Sequence, residues 1–334
     1  MYSLANQESE RTVSSTQITT TSPSSTALAG AFGFDSSILA GQCSPSTIKM
    51  YKRDFEAYRK WAATAGEPAG QAATLAKWRA TLAESSALSP NTINRMLSAV
   101  KRIMQEAAAQ GYCPSELAAQ FEQVAGVKVQ ALRERQKSHA RTLISPEQMR
   151  LICTAPNANT LPGKMHRALL ATLAGSGCRI SEIVSLKPAQ IEYGPDDTGK
   201  LGYTLKVMGK NQREPREAPL STEAHHLIGQ WLAARSAAGI ESEYIFTGFG
   251  GRGGRQPRTT PITPASAWEM VQRYAKACQL AHIKPHDFRR FVGTRLAKQD
   301  IRKAQKALGH KRIETTAQHY VLDSLERGLT DNLY

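Results

Sequence analysis

Apolar residues begin to recur at helical spacing only after Ser44. Ile48, Tyr51, Phe55 and Tyr58 lie three and four positions apart, and Trp61 extends the stripe. That period places them on one face of a helix. Ser44 or Ser46 supplies a side-chain oxygen to cap its start. Leu75, Trp78 and Leu82 mark a second helix. A third opens at Ser89–Pro90, carries Ile93, Leu97, Val100 and Met104, and stops at Gly111, since glycine tolerates the left-handed turn that ends many helices. Residues 44–125 thus read as a small helical bundle. Residues 1–38 are rich in serine and threonine and show no apolar period, so they read as a flexible tail. Phe32, Phe34, Ile38 and Leu39 are expected to dock near its end, which starts the helical domain at 39.

The stretch 126–143 includes ALRERQKSHART, polar, mostly basic and without a long apolar period; it reads as a linker. A second domain opens at 144. There Ser145–Pro146–Glu147–Gln148 combines a capping hydroxyl, a first-turn proline and a glutamine able to reach back to the cap. A longer helix is predicted over Gly163–Ala174. Between Ile191 and Leu220 the period changes. Gly194–Pro195–Asp196–Asp197 predicts a turn, LGYTLKVMG alternates as a strand, and REAPL returns after a turn at Lys210–Asn211. Helices resume over Thr222–Ala234, Pro264–Cys278, Phe288–Ala297 and Ile301–Leu308. Residues 248–258, GFGGRGGRQPR, read as a flexible basic loop. Their glycines follow no strand in the nucleotide-binding pattern, which argues against a phosphate cradle. Past residue 320, Val321, Leu322, Leu325, Leu329 and Leu333 form an apolar stripe. A lone short helix gains little in water, so this end of a domain spanning 144–334 is expected to bind protein surface, with a second copy favoured over its own domain.

Charge narrows the partner. Lysine and arginine number 43 against 28 aspartates and glutamates, a net +15. Residues 1–40 hold Arg11 against Glu8, Glu10 and Asp35, so the excess belongs to the remainder. Such a surplus attracts a polyanion and gains from counterion release. No amphipathic terminal anchor, membrane-length apolar run or secretory leader stands out, which favours nucleic acid over a membrane. The five cysteines are scattered singly, without zinc-ligand spacing or a disulfide framework, as expected of a cytoplasmic protein.

Five separated groups carry candidate chemistry: Arg179 in GSGCRISEIVSL, Lys210 in VMGKNQREPREAPL, His286 and Arg289 in PHDFRRF, His310 in ALGHKRIETT, and Tyr320 in QHYV. Each alone has an ordinary packing or surface explanation. Phosphodiester transfer without a metal would use them all. Two guanidiniums offer paired N–H donors to nonbridging phosphate oxygens and balance transition-state charge. A tyrosine hydroxyl can attack phosphorus and store the broken linkage as an ester. Lysine and histidine can move the protons. Glu182 is placed to order the arginine-bearing segment. Arg290 and Lys311 read either as phosphate contacts or as solvated positive charge, and His319 reads as a flanking residue ahead of a backup proton shuttle.

These residues resemble the tyrosine recombinase (phage integrase) family. Its G-x-R-x-S-E-L pattern stands here as Gly177–Cys178–Arg179–Ile180–Ser181–Glu182–Ile183. Its hairpin lysine falls on Lys210, its H-x-L-R box on His286–Asp287–Phe288–Arg289, its L-G-H box on Leu308–Gly309–His310, and its nucleophile on Tyr320. The resemblance implies a mainly α chain: a helical core-binding domain (39–125) and a mixed, predominantly α catalytic domain (144–334) with a small inserted antiparallel sheet. It also implies site-specific strand exchange through a 3′-phosphotyrosine intermediate and a four-way junction, with no cofactor and no metal. The implied partners are double-stranded DNA carrying paired core sites, further copies forming a tetramer on that DNA, and possible accessory DNA-binding proteins. Tyr320 stands ten residues after His310, where the family pattern has nine; an extra loop residue before the last helix would absorb the difference. A nicking–closing topoisomerase and a non-cleaving DNA-binding module are the alternative functions.

Overall fold

The computed structural model describes residues 34–135, 143–196, 198–209, 214–250 and 256–320. Phe32, Lys210 and the segment 321–334 lie outside the described residues. The chain divides into two compact units, 1–138 and 139–334, and each buries its own apolar cluster.

The first unit holds α1 (Pro45–Thr64), α2 (Ala72–Ser85), α3 (Pro90–Ala109) and α4 (Ser115–Glu122). The Ser44 and Ser89 hydroxyls accept from the backbone N–H of Thr47 and Thr92, and proline opens each helix behind them. Phe55, Tyr58, Leu75, Trp78, Ile93, Leu97, Val100 and Met104 are buried together, at roughly 1.5–3 kcal/mol for each large aliphatic or phenyl side chain fully removed from water. Ahead of α1, a short turn at Ser36–Leu39 buries Phe34, Ile38 and Leu39, and Gln110 Nε2 donates to the Ile38 carbonyl at 2.8 Å. Helix α4 had no sequence signal. Two turns are too short for a period, and Ala118 and Phe121 bury through tertiary packing. The polar stretch from 126 starts as part of this unit. Asn94 accepts from Val127 N–H and donates to its carbonyl, and Leu132 is buried in a short turn at Val129–Arg135.

The second unit runs α5 (Pro146–Thr154), α6 (Leu161–Ser176), α7 (Ile180–Val184), β1 (Ile191–Pro195), β2 (Leu201–Val207), β3 (Arg216–Leu220), α8 (Thr222–Ala237), β4 (Thr247–Gly250), β5 (Gln256–Pro261), α9 (Pro264–Ala277), α10 (Pro285–Gln299), α11 (Ile301–Leu308) and α12 (Ile313–Tyr320). Helix α6 is central: Met165, Leu169, Leu170 and Leu173 are buried, and α8 and α10 pack on it. The expected capping box is present, with Ser145 Oγ accepting from Gln148 N–H and Gln148 Oε1 from Ser145 N–H. Strands β1, β2 and β3 form an antiparallel sheet in that order.

Two expectations need correction. Gly194 and Pro195 belong to β1, paired with Gly202 and Leu201. The turn lies beyond them, where Asp196 Oδ1 accepts from the N–H groups of Thr198 and Lys200. Residues 248–258 are not simply a loop, because β4 and β5 pair Phe249 with Pro257 and Gly250 with Gln256. Backbone pairing there is independent of side-chain alternation, so the glycine-rich sequence concealed it. Among the described residues no helix is long and apolar enough to cross a membrane.

Candidate active site

Helix α6 ends at Gly177, whose φ of +64° is the left-handed conformation that glycine adopts without strain. A Cβ there would also press on Val292 Cγ1 and Leu308 Cδ2. The chain turns through Cys178 and enters α7 directly after Arg179. This tight turn brings the Gly177 carbonyl to Arg289 Nη1, which donates to it at 2.8 Å. Arg289 sits on α10 and is 1% exposed. Its Nη2 donates to the Leu308 carbonyl at 2.5 Å and to His310 Nε2 at 3.1 Å. One buried guanidinium thus joins the ends of α6 and α11, two points where helices leave carbonyls without internal partners.

The second left-handed glycine, Gly309, ends α11 and turns the chain into His310. His310 Nδ1 lies 2.9 Å from Thr316 Oγ1. Arg289 has no acceptor, so Nε2 must accept from it, leaving the Nδ1 proton for the threonine. Burial, then the positive charge of Arg289 and Arg179, holds the His310 pKa down to about 4, so the ring is neutral at pH 7. The imidazole stacks on Tyr320, with centroids 5.5 Å apart and planes at 29°. Tyr320, on the last turn of α12, is 3% exposed and lies against Gly293 of α10. His319 presents its ring edgewise to Tyr320 at 6.3 Å.

Arg179 remains half-exposed, with Nη1 donating to Glu182 Oε1 at 2.9 Å. Glu182 is almost fully buried and also accepts from Arg179 N–H and from Arg216 Nη2, both at 2.8 Å on Oε2. Burial raises the carboxyl pKa, but Arg216, the Arg179 N–H and the Arg179 guanidinium outweigh it and lower the pKa overall. His286 is exposed in the first turn of α10, where partial desolvation and then Arg289 and Arg290 lower its pKa. Arg290 is paired with Asp287 at 3.7 Å, and Lys311 is exposed.

The structure therefore gathers Arg179, Arg289, His310 and Tyr320, with His286 close enough to sense the same charges. Val207 of β2 pairs with Arg216 of β3; Lys210 lies between them in sequence, outside the described residues. Sequence reading missed Arg216. The available signal was its register: Arg216, Ala218 and Leu220 share a strand face, and the latter two are buried. An arginine on an inward face needs partners.

The phage integrase family model matches residues 142–327, and a model of the phage integrase N-terminal SAM-like domain matches 34–111. A tyrosine recombinase of Synechococcus elongatus is 27% identical over 299 residues, covering 84% of this chain and 86% of that protein. The tyrosine recombinase XerD of Neisseria meningitidis is 29% identical over 180 residues, covering 52% of this chain and 56% of that protein, about half the length of each. The fold is shared with the Tn1549 transposon integrase solved with a circular intermediate DNA, at a TM-score of 0.60 and 17% identity over 90% of this chain and 99% of that one. The chain belongs to the phage integrase family, the tyrosine recombinases, and its reaction is site-specific recombination by cutting and rejoining DNA strands.

Proposed function

We propose that the chain exchanges strands between two DNA core sites through a bond between Tyr320 and a 3′-phosphate. The observation that carries this reading is the convergence of Arg289, His310 and the Tyr320 ring on the turn after α11, with Arg179 adjacent. The Tyr320 oxygen attacks phosphorus, its proton passes to His286, and the bond from phosphorus to the 5′-oxygen breaks. Lys210 protonates that oxygen as it leaves. The incoming 5′-hydroxyl of the other duplex reverses these steps, so the phosphodiester bond energy is retained and no energy-supplying cofactor is required. Arg179 and Arg289 hold the nonbridging oxygens and balance the charge a metal would otherwise meet.

His310 begins neutral, its Nε2 lone pair turned to Arg289. An arriving phosphate places negative charge beside it and favours proton uptake, which makes Nε2 a donor to the phosphate. The partners in this reading are double-stranded DNA with paired core sites, four copies assembled on that DNA through residues 321–334, and possible accessory DNA-binding proteins, all in the cytoplasm.

The test is covalent capture from a duplex library with a randomised core and a nick that prevents religation. DNA attached to the peptide bearing Tyr320 is the expected product; attachment at another residue, or none, overturns the reading. On a captured site, Lys210→Ala should slow cleavage, and a 5′-bridging phosphorothiolate, whose sulfur leaves without a proton, should restore most of the rate. Equal slowing on both substrates would remove Lys210 from the leaving-group role.

Gly293→Ala tests the seat of the nucleophile. A Cβ there would collide with the Tyr320 ring and stand 2.8 Å from Leu308 Cδ1. The variant should lose roughly 1–3 kcal/mol of stability through overpacking and form adduct more slowly while binding DNA normally. Calorimetry and single-turnover cleavage measure the two effects; an unchanged rate would show that Tyr320 reacts from elsewhere.

A further inference from the structure

Arg216 opens β3 and does not belong to the set of residues placed on the phosphate. Its side chain is 10% exposed, an environment that normally excludes an arginine. Nη1 donates to the Ala307 carbonyl at 2.7 Å, in the last turn of α11. Nη2 donates to Glu182 Oε2 at 2.8 Å and approaches Cys178 Sγ at 3.7 Å. The stem runs beneath Gly309, where a Cβ would collide with Cδ and stand 2.7 Å from Nε. Nε is buried and without a hydrogen-bond partner among the described residues.

We propose that Arg216 is a positioning residue for strand cleavage: it divides the Glu182 carboxylate between two guanidiniums and ties the Arg179 turn to the turn that presents His310. Glu182 has one negative charge and serves two arginines. If Arg216 were apolar, that charge would fall on Arg179 alone, tightening the ion pair and weakening the attraction of Arg179 for phosphate. With Arg216 present, the three guanidiniums of Arg179, Arg216 and Arg289 stand against one carboxylate, and the centre keeps a net positive charge for a dianionic transition state. The mechanical role follows from the acceptors. Ala307 lies at the C-terminal end of a helix, where a cation is favoured. Glu182 lies just after Arg179. A planar fork spans both, while a single ammonium satisfies one at a time. Arg216 is also held by the sheet, because it pairs with Val207 of β2.

A purely structural device would be cheaper as a hydrocarbon, since burying an ion pair frequently stabilises no more than apolar packing of equal volume. The unpartnered Nε adds a further desolvation cost. That expense is understandable where the charge itself is used.

This inference rests on the cleavage reading, and the test separates the two. A nicked duplex captured by the wild-type chain provides the substrate, so adduct formation by wild type establishes the reading first. Arg216→Met, Arg216→Lys, Glu182→Gln and Glu182→Gln with Arg216→Met are then compared at saturating DNA, alongside DNA affinity and melting temperature. The expected single-turnover rates fall in the order wild type, Lys, Met, with Met at least roughly tenfold slow, as for loss of a charged hydrogen bond, and affinity nearly constant. In the Glu182→Gln background, Arg216→Met should cost much less than in wild type. Wild-type rates in both Arg216 variants, an equal fold loss in both backgrounds, or losses of rate and affinity in equal measure would overturn the proposal. If the methionine variant does not fold, the lysine variant decides: a wild-type rate overturns the proposal, and a slowed rate at unchanged affinity upholds it.

Discussion

Tyr320→Phe leaves the protein folded and bound to DNA, and it abolishes both the covalent adduct and strand exchange. The ring fills the space between His310 and Gly293, and phenylalanine keeps that ring. No hydrogen bond to the Tyr320 hydroxyl is needed to explain its packing, so its loss should change stability by less than about 1 kcal/mol, the typical net value of one hydrogen bond. The chemical loss is total because no other atom of the side chain can attack phosphorus. Denaturing gels on a captured duplex give the adduct, and calorimetry gives the stability. An adduct of normal yield from the variant would transfer the nucleophile to another residue and sink the assignment.

Arg179→Ala and Arg289→Ala should both slow cleavage by about 10²–10³-fold or more, the usual cost of removing one preorganised transition-state donor, yet separate sharply in stability. Arg179 is half-exposed, and without it Glu182 keeps Arg216 and a backbone N–H. Its removal should cost within about 1 kcal/mol, as for an exposed ion pair. Arg289 is the link between the Gly177 and Leu308 carbonyls. Its removal leaves both buried without that donor, at roughly 1–3 kcal/mol each, and frees the loop that carries His310. Urea melts paired with single-turnover cleavage measure the two effects. Equal stability losses, or cleavage at the wild-type rate by either variant under saturating DNA, would contradict this division.

The arrangement explains why two glycines stand in the motifs. Gly177 and Gly309 both end helices with positive φ, and both turns expose a carbonyl or ring nitrogen to Arg289. Their spacing to Arg179 and His310 is a consequence of how abruptly the chain must turn. Helix α12 starts two residues beyond Lys311 and runs to Tyr320. The His310 and Tyr320 rings stack across the ten residues that separate them.

Local physics set much of this chain. Serine caps followed by proline placed the starts of α1, α3 and α5, because those groups act within four residues of one another. Apolar period placed the first unit's core, and the alternation of LGYTLKV placed β2. The candidate groups from Arg179 to Tyr320 were readable as types because phosphate chemistry needs guanidiniums, proton carriers and a nucleophile. Their partnerships were not readable. The neutral state of His310 rests first on its burial and then on Arg289, which is 21 residues away in sequence. The ionised state of buried Glu182 depends on Arg216, 34 residues away. Helix α4 and the β4–β5 pair also escaped, since two helical turns carry too few residues for a period and glycine-rich strands carry no side-chain alternation. Residue type and local spacing are written in the chain, whereas a hydrogen-bond acceptor, a desolvated charge or a missing Cβ acquires its effect only when distant segments occupy the same few ångströms.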